Sequence, residues 1–331
     1  MRVLLWHVHG SWATSFVHGP HTTLVPVTPD RGPDGRGRPA TFDWPDRAVE
    51  VPHDRLREEH VDVVVLQRPR EIELCERWLG RRPGRDVPAV YVEHDTPRRT
   101  ASDAGGPAEV VPDSRHFLHD RSDIPVVHVT HFNRLFWNCG RAPTTVIEHG
   151  VADPGHRYRG DLPRAGVVIN DPLRRGRLTG ADLLPELARA VPIDLFGMNV
   201  VQVPERLGVP PGSLRVHEDP PQARMHGMLA RRRVYLHPYR WTSLGLALIE
   251  AMMLGLPVVA LAATEAVEAV PPEAGVLSTR VGALAEAARS LTADPPLARR
   301  MGKEARAFAL DRYGLPRFLR DWRLMLTEVT R

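Results

Sequence analysis

Short apolar runs alternate with helix-like segments along most of the chain, and this pattern constrains the fold more than any other feature of the sequence. In the N-terminal half the runs are Val3–Trp6, Leu24–Val27, Val61–Leu66, Val87–Val92 and Val126–Val129. In the C-terminal half they are Gly166–Ile169, Ile193–Phe196, Leu214–His217, Val234–His237 and Pro257–Leu261. Because polar residues do not alternate within these runs, they are typical of strands buried on both faces of a parallel sheet.

Helical segments separate several of the predicted strands, for example Glu71–Leu79, Ala181–Ala190 and Gln222–Arg231. Strands that alternate with helices predict βαβ units, and therefore an α/β fold with doubly wound parallel sheets. The polar segment Arg98–Pro112, which contains two adjacent glycines, is expected to form a loop.

The length of 331 residues corresponds to about two domains. We expect the boundary near Val146–Pro154, where the strand-like Thr145–Ile147 leads into His149, Gly150 and turn residues. The sequence therefore predicts a first domain over residues 1–150, a second over 151–315, and a helix over 316–331 that packs back on the first domain. The two similar halves are expected to face each other across a cleft.

Several classes of protein are disfavoured by simple sequence features. No apolar run reaches 18 residues, which argues against a transmembrane helix. The N-terminus turns polar too early for a signal peptide. Two cysteines, Cys75 and Cys139, are too few for a disulfide framework and are expected to be reduced. Together these features favour a cytoplasmic protein.

The charge of the chain is carried almost entirely by arginine. The formal net charge is +4, and Lys303 is the only lysine among 44 basic residues. Arginine binds phosphate well, so anionic partners are expected, although a GC-rich coding bias would produce the same composition. A basic protein is also compatible with contact at the inner face of an anionic membrane. The charge is dispersed and no nucleic-acid motif occurs, which argues against nucleic-acid binding.

The 16 histidines do not predict a metal centre. They are scattered in pairs such as His7/His9 and His128/His131. None joins cysteines or carboxylates at a structural zinc spacing. We therefore expect neither a metal nor another cofactor.

The segment from Val234 to Ala260 carries the most specific signal. A strand breaks at Pro238, a loop follows, and a helix is predicted from about Leu244 to Leu254 before the stop residue Gly255. A strand–loop–helix of this kind directs a helix N-terminus at a ligand and favours an anion. Glu250, within the helix, could accept two hydroxyl hydrogen bonds from a ribose diol. The alternative is a solvated helix residue.

This segment resembles the donor-binding half of the retaining GT-B glycosyltransferases of family four, the glycosyl transferases group 1. The resemblance rests on PYRWTSLG at residues 238–245 and LALIEAMMLGLPVV at residues 246–259. It covers the last half of the chain well and the first half loosely, and it implies two Rossmann-like domains that bind a nucleotide-diphosphate sugar.

The resemblance also implies roles for individual residues. Glu250 matches the family's second motif glutamate, which binds the nucleotide ribose. Gly245 matches the glycine that lets a helix N-terminus approach the diphosphate, and Leu246 contributes a neighbouring backbone N–H. Thr242 stands where the family has its first motif glutamate, which contacts the donor sugar. A second departure is Thr264–Glu265, where the family commonly has two glycines.

The family also neutralises the diphosphate with basic residues near the start of the second domain. Here Thr179 takes the place of the family's lysine, so that Arg174, Arg175 or Arg177 must supply the charge. Fixed positive charge is what a departing diphosphate requires when no metal ion is bound. The alternative is a solvated run of charged residues.

In the first half, His94 follows a predicted strand and resembles the family's strand-end histidine near the donor sugar and the acceptor. We assign it as the candidate catalytic residue, with Glu93 or Asp95 to orient it. Gly10 follows the first strand, where the family has a glycine-rich loop over the donor.

The sequence therefore predicts a glycosyltransferase that moves a sugar from a nucleotide-diphosphate sugar to an unknown acceptor without a metal, and the resemblance implies that the transfer retains configuration. Three alternatives remain open. The first is a nucleotide-sugar-binding protein without transferase activity, since Thr242 replaces a donor contact. The second is a nucleic-acid-binding protein, and the third is a sugar-nucleotide epimerase of the same fold, whose cleft acids the sequence does not show.

Overall fold

The computed structural model describes residues 1–39, 42–99, 109–110 and 114–331. The chain divides into two compact units. The first unit comprises Met1–Val151 together with Leu315–Arg331, and the second comprises Ala152–Gly314. Most of the segment Arg98–Pro112, predicted as a loop, lies outside the described residues.

The first unit is built, within the described residues, on a parallel sheet of seven strands. They are β1 (Arg2–Leu5), β2 (Thr22–Val27), β3 (Ala48–Pro52), β4 (Val63–Leu66), β5 (Ala89–Glu93), β9 (Val126–His128) and β11 (Thr144–Val146), in the order β11-β9-β5-β4-β1-β2-β3. Two short ladders join β6 (Arg98–Arg99) to β7 (Glu109–Val110) and β8 (Ser114–Arg115) to β10 (Trp137–Asn138). The order reverses between β1 and β4, which makes this the topological switch point of the first sheet.

Within the described residues, the helices of the first unit are α1 (Gly10–Val17), α2 (Arg70–Leu74), α3 (His131–Phe136) and α12 (Leu315–Val329), with short helical turns at His53–Glu58 and Cys75–Leu79. Aromatic side chains join the C-terminal helix α12 to α1. The ring of Trp12 packs edge-on against Phe318 and Trp322, with centroids 6.1 and 5.4 Å apart. The last helix therefore completes the core of the unit that contains the N-terminus.

The second unit contains a parallel sheet of six strands in its described residues. They are β12 (Leu162–Val168), β13 (Ile193–Gly197), β14 (Leu214–Glu218), β15 (Arg232–His237), β16 (Val258–Leu261) and β17 (Gly275–Ser278), in the order β14-β13-β12-β15-β16-β17. Numbered along the chain from β12, this order is 3-2-1-4-5-6, as in a Rossmann fold. The switch point lies between β12 and β15.

The helices of the second unit surround its sheet. They are α4 (Pro172–Arg175), α5 (Leu184–Ala190), α6 (Val203–Arg206), α7 (Gln222–Leu229), α8 (Leu246–Leu254), α9 (Ala266–Ala269), α10 (Val281–Ala293) and α11 (Pro295–Tyr313), with single turns at Gly176–Thr179 and Ala181–Leu183. No helix in the described part of the chain combines the length and hydropathy needed to cross a bilayer.

The predicted strands are all present, and the helical segments begin or end within a few residues of their predicted bounds. Two edge strands, β3 and β17, were not predicted. Their burial differs from that of the central strands, since Val49 of β3 is exposed and most of β17 is half-buried. A strand that is not buried on both faces does not need a continuous apolar run, and it therefore lacks the signal on which the prediction relied.

Candidate functional site

Two loops are joined at the switch point of the second sheet, beyond the ends of β12 and β15. The backbone N–H groups of Arg240 and Trp241 both donate to the carbonyl of Leu178, at 3.0 and 3.1 Å. Gly180 has a φ of +71°, and a Cβ at this residue would lie 1.9 Å from the carbonyl oxygen of Pro238. The two loops are therefore held together by backbone contacts at the edge where doubly wound domains bind ligands.

We expect Gly180→Ala to lower the free energy of unfolding of the second unit by about 2 kcal/mol or more. The added methyl group must displace Pro238, and an L side chain is also disfavoured at positive φ. Gly208→Ala is the matched control, because Gly208 has a φ of +61° but open space around its Cβ position. Urea unfolding should show a loss of only about 1 kcal/mol for the control. Equal losses in the two variants would contradict the steric argument.

Glu250 lies in α8 with its carboxylate buried and hydrogen-bonded. Only 5% of the residue is exposed. Gln222 Nε2 donates to one carboxylate oxygen at 2.9 Å, and His226 Nε2 donates to the other at 3.1 Å. The alternative of a solvated Glu250 is therefore wrong. Each oxygen retains a further lone-pair direction, so the carboxylate is oriented by α7 and can still accept hydroxyl hydrogen bonds.

The N-terminus of α8 opens at Gly245, whose backbone is extended and which has no side chain to cap the helix. The first N–H groups of a helix have no partner within the helix, and they include those of Leu246 and Ala247. A Cβ at Gly245 would approach the His237 ring to 2.9 Å, so the imidazole requires a glycine here. His237 stacks on Tyr239 with centroids 4.6 Å apart. Glycine thus lets the buried histidine and the helix terminus lie side by side.

Threonines occupy two of the positions, 242 and 264, where the sequence departs from the family motif. Thr242 is half-buried in the loop between β15 and α8. Thr264, beyond the end of β16, has a φ of +50°, a left-handed conformation that a β-branched residue rarely adopts. The backbone at Thr264 therefore has a conformation that glycine would adopt without strain. Glycine is also the residue that the resembled family commonly has at this position.

The three candidate arginines lie in different surroundings. Arg175 is half-buried, and its guanidinium lies 5.9 Å from the ring centroid of Tyr239. Burial raises the pKa of Tyr239 to about 12, and its hydroxyl donates to the carbonyl of Val168 at 3.0 Å. Arg174 is exposed and pairs with Asp171 at 2.8 Å. Arg177 is exposed and pairs with Asp182 at 3.1 Å. The geometry therefore places Arg175 at the ends of β12 and β15.

A groove of about 430 Å³ lies beyond the carboxyl ends of β12, β13 and β14. It is lined by Asp171, Leu173, Arg174, Asn199, Val201, Gln202 and Glu218. Its polar groups are already connected, because Asn199 Nδ2 donates to Asp171 at 2.5 Å and the backbone N–H of Asn199 donates to Glu218 at 2.7 Å. Arg174 therefore belongs to this groove, whereas Arg175 lies beside the Tyr239 ring.

In the first unit, the structure groups His94 with two further histidines. His94 follows β5, His9 immediately precedes α1, and His149 follows β11. The His9 and His94 rings stack with centroids 4.0 Å apart, and Trp12 packs edge-on against His94 at 5.1 Å. Burial, together with the adjoining His9 and His149, holds the pKa of His94 well below its usual value. His94 is therefore a neutral imidazole in a stacked aromatic setting.

Glu93, one of the two residues predicted to orient His94, is hydrogen-bonded to other partners. It accepts hydrogen bonds from His116 Nε2 at 3.1 Å and from the backbone N–H of Asp95 at 2.7 Å. Gly10 is the first residue of α1, and a Cβ there would lie 3.0 Å from the Phe42 ring. In the described residues, no group of three or more His, Cys, Asp or Glu side chains is arranged to hold a metal ion.

The buried histidines predict a loss of stability in mild acid. Burial lowers the pKa of His149 and of His237 to about 3. The unfolded chain, with an imidazole pKa of about 6.5, binds more protons than the folded chain below that pH. The free energy of unfolding should therefore fall as the pH drops from about 6.5, by up to about 1.4 kcal/mol per pH unit for each imidazole.

Urea unfolding at about pH 7 and about pH 5 measures this dependence. His237→Phe keeps a ring against Tyr239 and should reduce the difference between the two conditions. His60→Gln is the control, because His60 is a surface residue paired with Asp62. An unchanged difference in His237→Phe would show that protonation of this imidazole does not limit stability.

Several residues at these edges were not found from the sequence. Gln222 and His226 are one helical turn apart in α7, and their i, i+4 spacing was the available signal. His237 ends a predicted strand, and His9 and His149 follow predicted strands. The contacts of His9 and His149 with His94 join positions that are distant in the chain, and the contact of His237 with Gly245 depends on how the loop between them folds, so local pattern did not reveal them.

Comparisons with known proteins support the assignment of the fold. Residues 212–308 match the sequence model of the family described as glycosyl transferases group 1. No curated protein matches the chain in sequence. A sucrose-phosphate synthase from Thermosynechococcus elongatus is similar in structure, with a TM-score of 0.70 and 14% identity, over 99% of each chain.

Two further solved structures are similar at comparable identity. Anabaena HepE in complex with UDP-glucose has a TM-score of 0.64 and 15% identity, over 99% of this chain and 100% of that one. TarM from S. aureus has a TM-score of 0.63 and 15% identity, and this chain covers about half of it (80% of this chain against 55% of TarM). The fold is therefore that of the GT-B glycosyltransferases, and the predicted fold class and resemblance are confirmed.

Proposed function

We propose that the protein is a glycosyltransferase that moves a sugar from a nucleoside diphosphate sugar to an acceptor hydroxyl, with retention of configuration. One observation carries the proposal: the oriented carboxylate of Glu250, the open N-terminus of α8 and the guanidinium of Arg175 occur together beyond β12 and β15. Glu250 and the N-terminus of α8 lie within residues 212–308, which match the glycosyl transferases group 1. The structures of HepE with UDP and with UDP-glucose support a nucleotide sugar as the ligand.

The donor would be held mainly by the second unit. Glu250, fixed by Gln222 and His226, would accept hydrogen bonds from the two ribose hydroxyls. The diphosphate would lie at the N-terminus of α8, where the N–H groups of Leu246 and Ala247 and the helix dipole favour negative charge. Thr242 would contribute one hydrogen bond to the donor sugar in place of a bidentate carboxylate.

The chemical step requires stabilisation of the departing diphosphate. Negative charge grows on its oxygen atoms as the glycosidic bond breaks, and fixed donors directed at that charge lower the barrier. Arg175 and the N–H groups of α8 would supply this stabilisation without a bound metal. The incoming acceptor hydroxyl would transfer its proton to the departing diphosphate on the same face of the sugar, which retains configuration.

The first unit would bind the acceptor. His94 lies at the carboxyl edge of its sheet, and a neutral imidazole can both donate and accept a hydrogen bond to a hydroxyl. His9 would position it by ring stacking, which makes His9 a positioning residue. Gly10, at the start of α1, leaves space for the Phe42 ring.

A second candidate function is binding of a nucleotide sugar without transfer. It is favoured by Thr242, since a single hydroxyl replaces the charged donor contact of the family, and by the strained Thr264. In that case the second unit would bind the donor as described, and no product would form.

The two functions are separated by an assay for both binding and turnover. The protein is screened for a thermal shift with UDP, GDP, ADP and dTDP and with their sugar conjugates. The conjugate that binds is then followed for release of the nucleoside diphosphate, with water and with hydroxylated compounds as acceptors. If the wild type releases the nucleoside diphosphate faster than the His94→Ala variant does, the result supports transfer. Binding without release supports the second candidate function. If no nucleotide binds, both functions are contradicted.

A further inference from the structure

The residues that flank His94 belong to a hydrogen-bond network that has no part in the reaction proposed above. Glu93 closes a turn around His94, because its Oε1 accepts the backbone N–H of Asp95 at 2.7 Å. The backbone carbonyl of Asp95 accepts from Trp137 Nε1 at 2.8 Å. Both backbone polar groups of the residue after His94 are therefore bound by side chains, which fixes the direction of the chain on either side of the imidazole.

His116 is the second part of this network. Its Nε2 lies 3.1 Å from the other carboxylate oxygen of Glu93, and the two side chains are 0% and 9% exposed. The backbone N–H of Leu118 donates to His116 Nδ1 at 3.2 Å, so this nitrogen carries no proton. The proton of the neutral ring is therefore on Nε2, which donates it to Glu93. The same ring packs edge-on against Trp137, with centroids 5.2 Å apart.

Glu93 serves two donors because a carboxylate has two acceptor oxygens. Oε1 accepts from the Asp95 backbone and Oε2 accepts from His116. Without the His116 donor, a buried carboxylate oxygen would have no partner, and the cost of that state favours a rotation of the side chain toward other donors. The hydrogen bond to the Asp95 N–H, and with it the turn around His94, therefore depends on His116.

We propose that Glu93 and His116 are positioning residues, which hold the His94 imidazole in the place from which it contacts the acceptor. Glu93 acts through the backbone of Asp95. The ring of His94 is also stacked on His9, with centroids 4.0 Å apart. A side chain that is fixed both by its backbone and by its ring contacts needs little reordering before reaction. That this arrangement serves sugar transfer rests on the proposed function.

Hydrogen exchange of the Asp95 amide tests the positioning without any need for activity. His116→Phe keeps a ring against Trp137 but removes the donor to Glu93, and it should raise the exchange rate of this amide at least about tenfold. In His116→Gln the side-chain amide can replace the imidazole Nε2 as donor, so the rate should return toward that of the wild type. The amides of β4 should exchange as in the wild type, which distinguishes a local change from a global loss of stability.

The NMR signal of the His94 imidazole is the second readout. It is identified by its loss in His94→Ala, and it should shift in His116→Phe because the ring moves relative to His9. Glu93→Gln should shift it as well, since a glutamine offers an acceptor oxygen to only one of the two donors. His119→Phe is the matched control, because His119 lies in the same segment as His116 but pairs with Asp120.

Turnover separates a positioning role from a purely structural one. His116→Phe should lower kcat for release of the nucleoside diphosphate about tenfold, because a small displacement of a reacting group costs much of its effect. The KM for the donor should change little, since the donor is bound by the second unit. In the His94→Ala background the same substitution should have no further effect, because it acts through His94.

The proposal is overturned if the Asp95 amide and the His94 signal are unchanged in both His116→Phe and Glu93→Gln, or if His119→Phe changes them equally. It is also overturned if His116→Phe lowers kcat as strongly in the absence of His94 as in its presence. The proposed function fails separately, if the wild type releases no nucleoside diphosphate or if release does not depend on His94. In that case the exchange rate of the Asp95 amide still decides whether Glu93 and His116 hold the turn.

Discussion

Glu250→Gln is expected to weaken binding of the nucleoside diphosphate about 100-fold. The substitution keeps the size of the side chain but removes its charge, and two hydrogen bonds to a charged acceptor contribute about 3 kcal/mol in total. A ligand at about 100 times its Kd stabilises the wild type by about 2.7 kcal/mol, whereas the variant at the same concentration should gain less than about 0.5 kcal/mol. A thermal-shift titration with the preferred nucleotide measures both values.

The surroundings of Glu250 provide the controls for this experiment. Glu186→Gln makes the same change at an exposed position of α5 and should leave binding unaltered. Gln222→Ala and His226→Ala each remove one hydrogen bond that orients the Glu250 carboxylate. They should weaken binding to an intermediate degree. Normal binding by Glu250→Gln would show that this carboxylate does not hold the ribose.

The second large effect is expected on stability, from a buried cluster of charges in the second unit. Asp194 of β13 is fully buried and binds two arginines, with Arg164 Nε at 3.0 Å and Arg232 Nε at 2.6 Å. Asp194→Asn removes the negative charge and leaves two guanidinium groups with little access to water. We expect it to lower the free energy of unfolding by about 3–5 kcal/mol, as measured by urea unfolding.

The same substitution at an exposed ion pair is the matched control. Asp161 binds Arg231 at 2.8 Å, and a third of its side chain is exposed. Because exposed pairs contribute little, Asp161→Asn should cost less than about 1 kcal/mol. A similar loss in the two variants would show that burial does not set the energy of the Asp194 cluster.

The fold could be predicted from the sequence to a large extent, because the central strands are buried on both faces. Runs such as Val63–Leu66 and Val258–Leu261 are apolar at every position, since both faces of the sheet are covered by helices. The edge strands β3 and β17 lack that constraint and were missed. Helix α8 was predicted because Gly255, with a φ of +98°, ends it in the left-handed conformation.

The candidate site could be predicted only where its residues belong to one continuous motif. Glu250, Gly245 and Thr242 were found because β15, the loop and α8 follow one another directly in the chain. Arg174 and Arg175 could not be distinguished, since adjacent residues of a short helix point to different sides and only the packing against Tyr239 separates them.

The sequence by itself determined the parallel α/β architecture and the strand–loop–helix that carries Glu250. Only the tertiary structure decided that the Glu250 carboxylate is buried and hydrogen-bonded. Its donors, Gln222 and His226, lie on α7, and they reach Glu250 only when β15 is paired with β12 and α7 packs beside α8. The tertiary structure also decided the neutral state of His94, since burial and stacking with His9 involve residues 85 positions apart in the chain. The hydrophobic pattern of a sequence predicts which face of a helix or strand is buried. It does not predict which side chains from distant parts of the chain pack against that face.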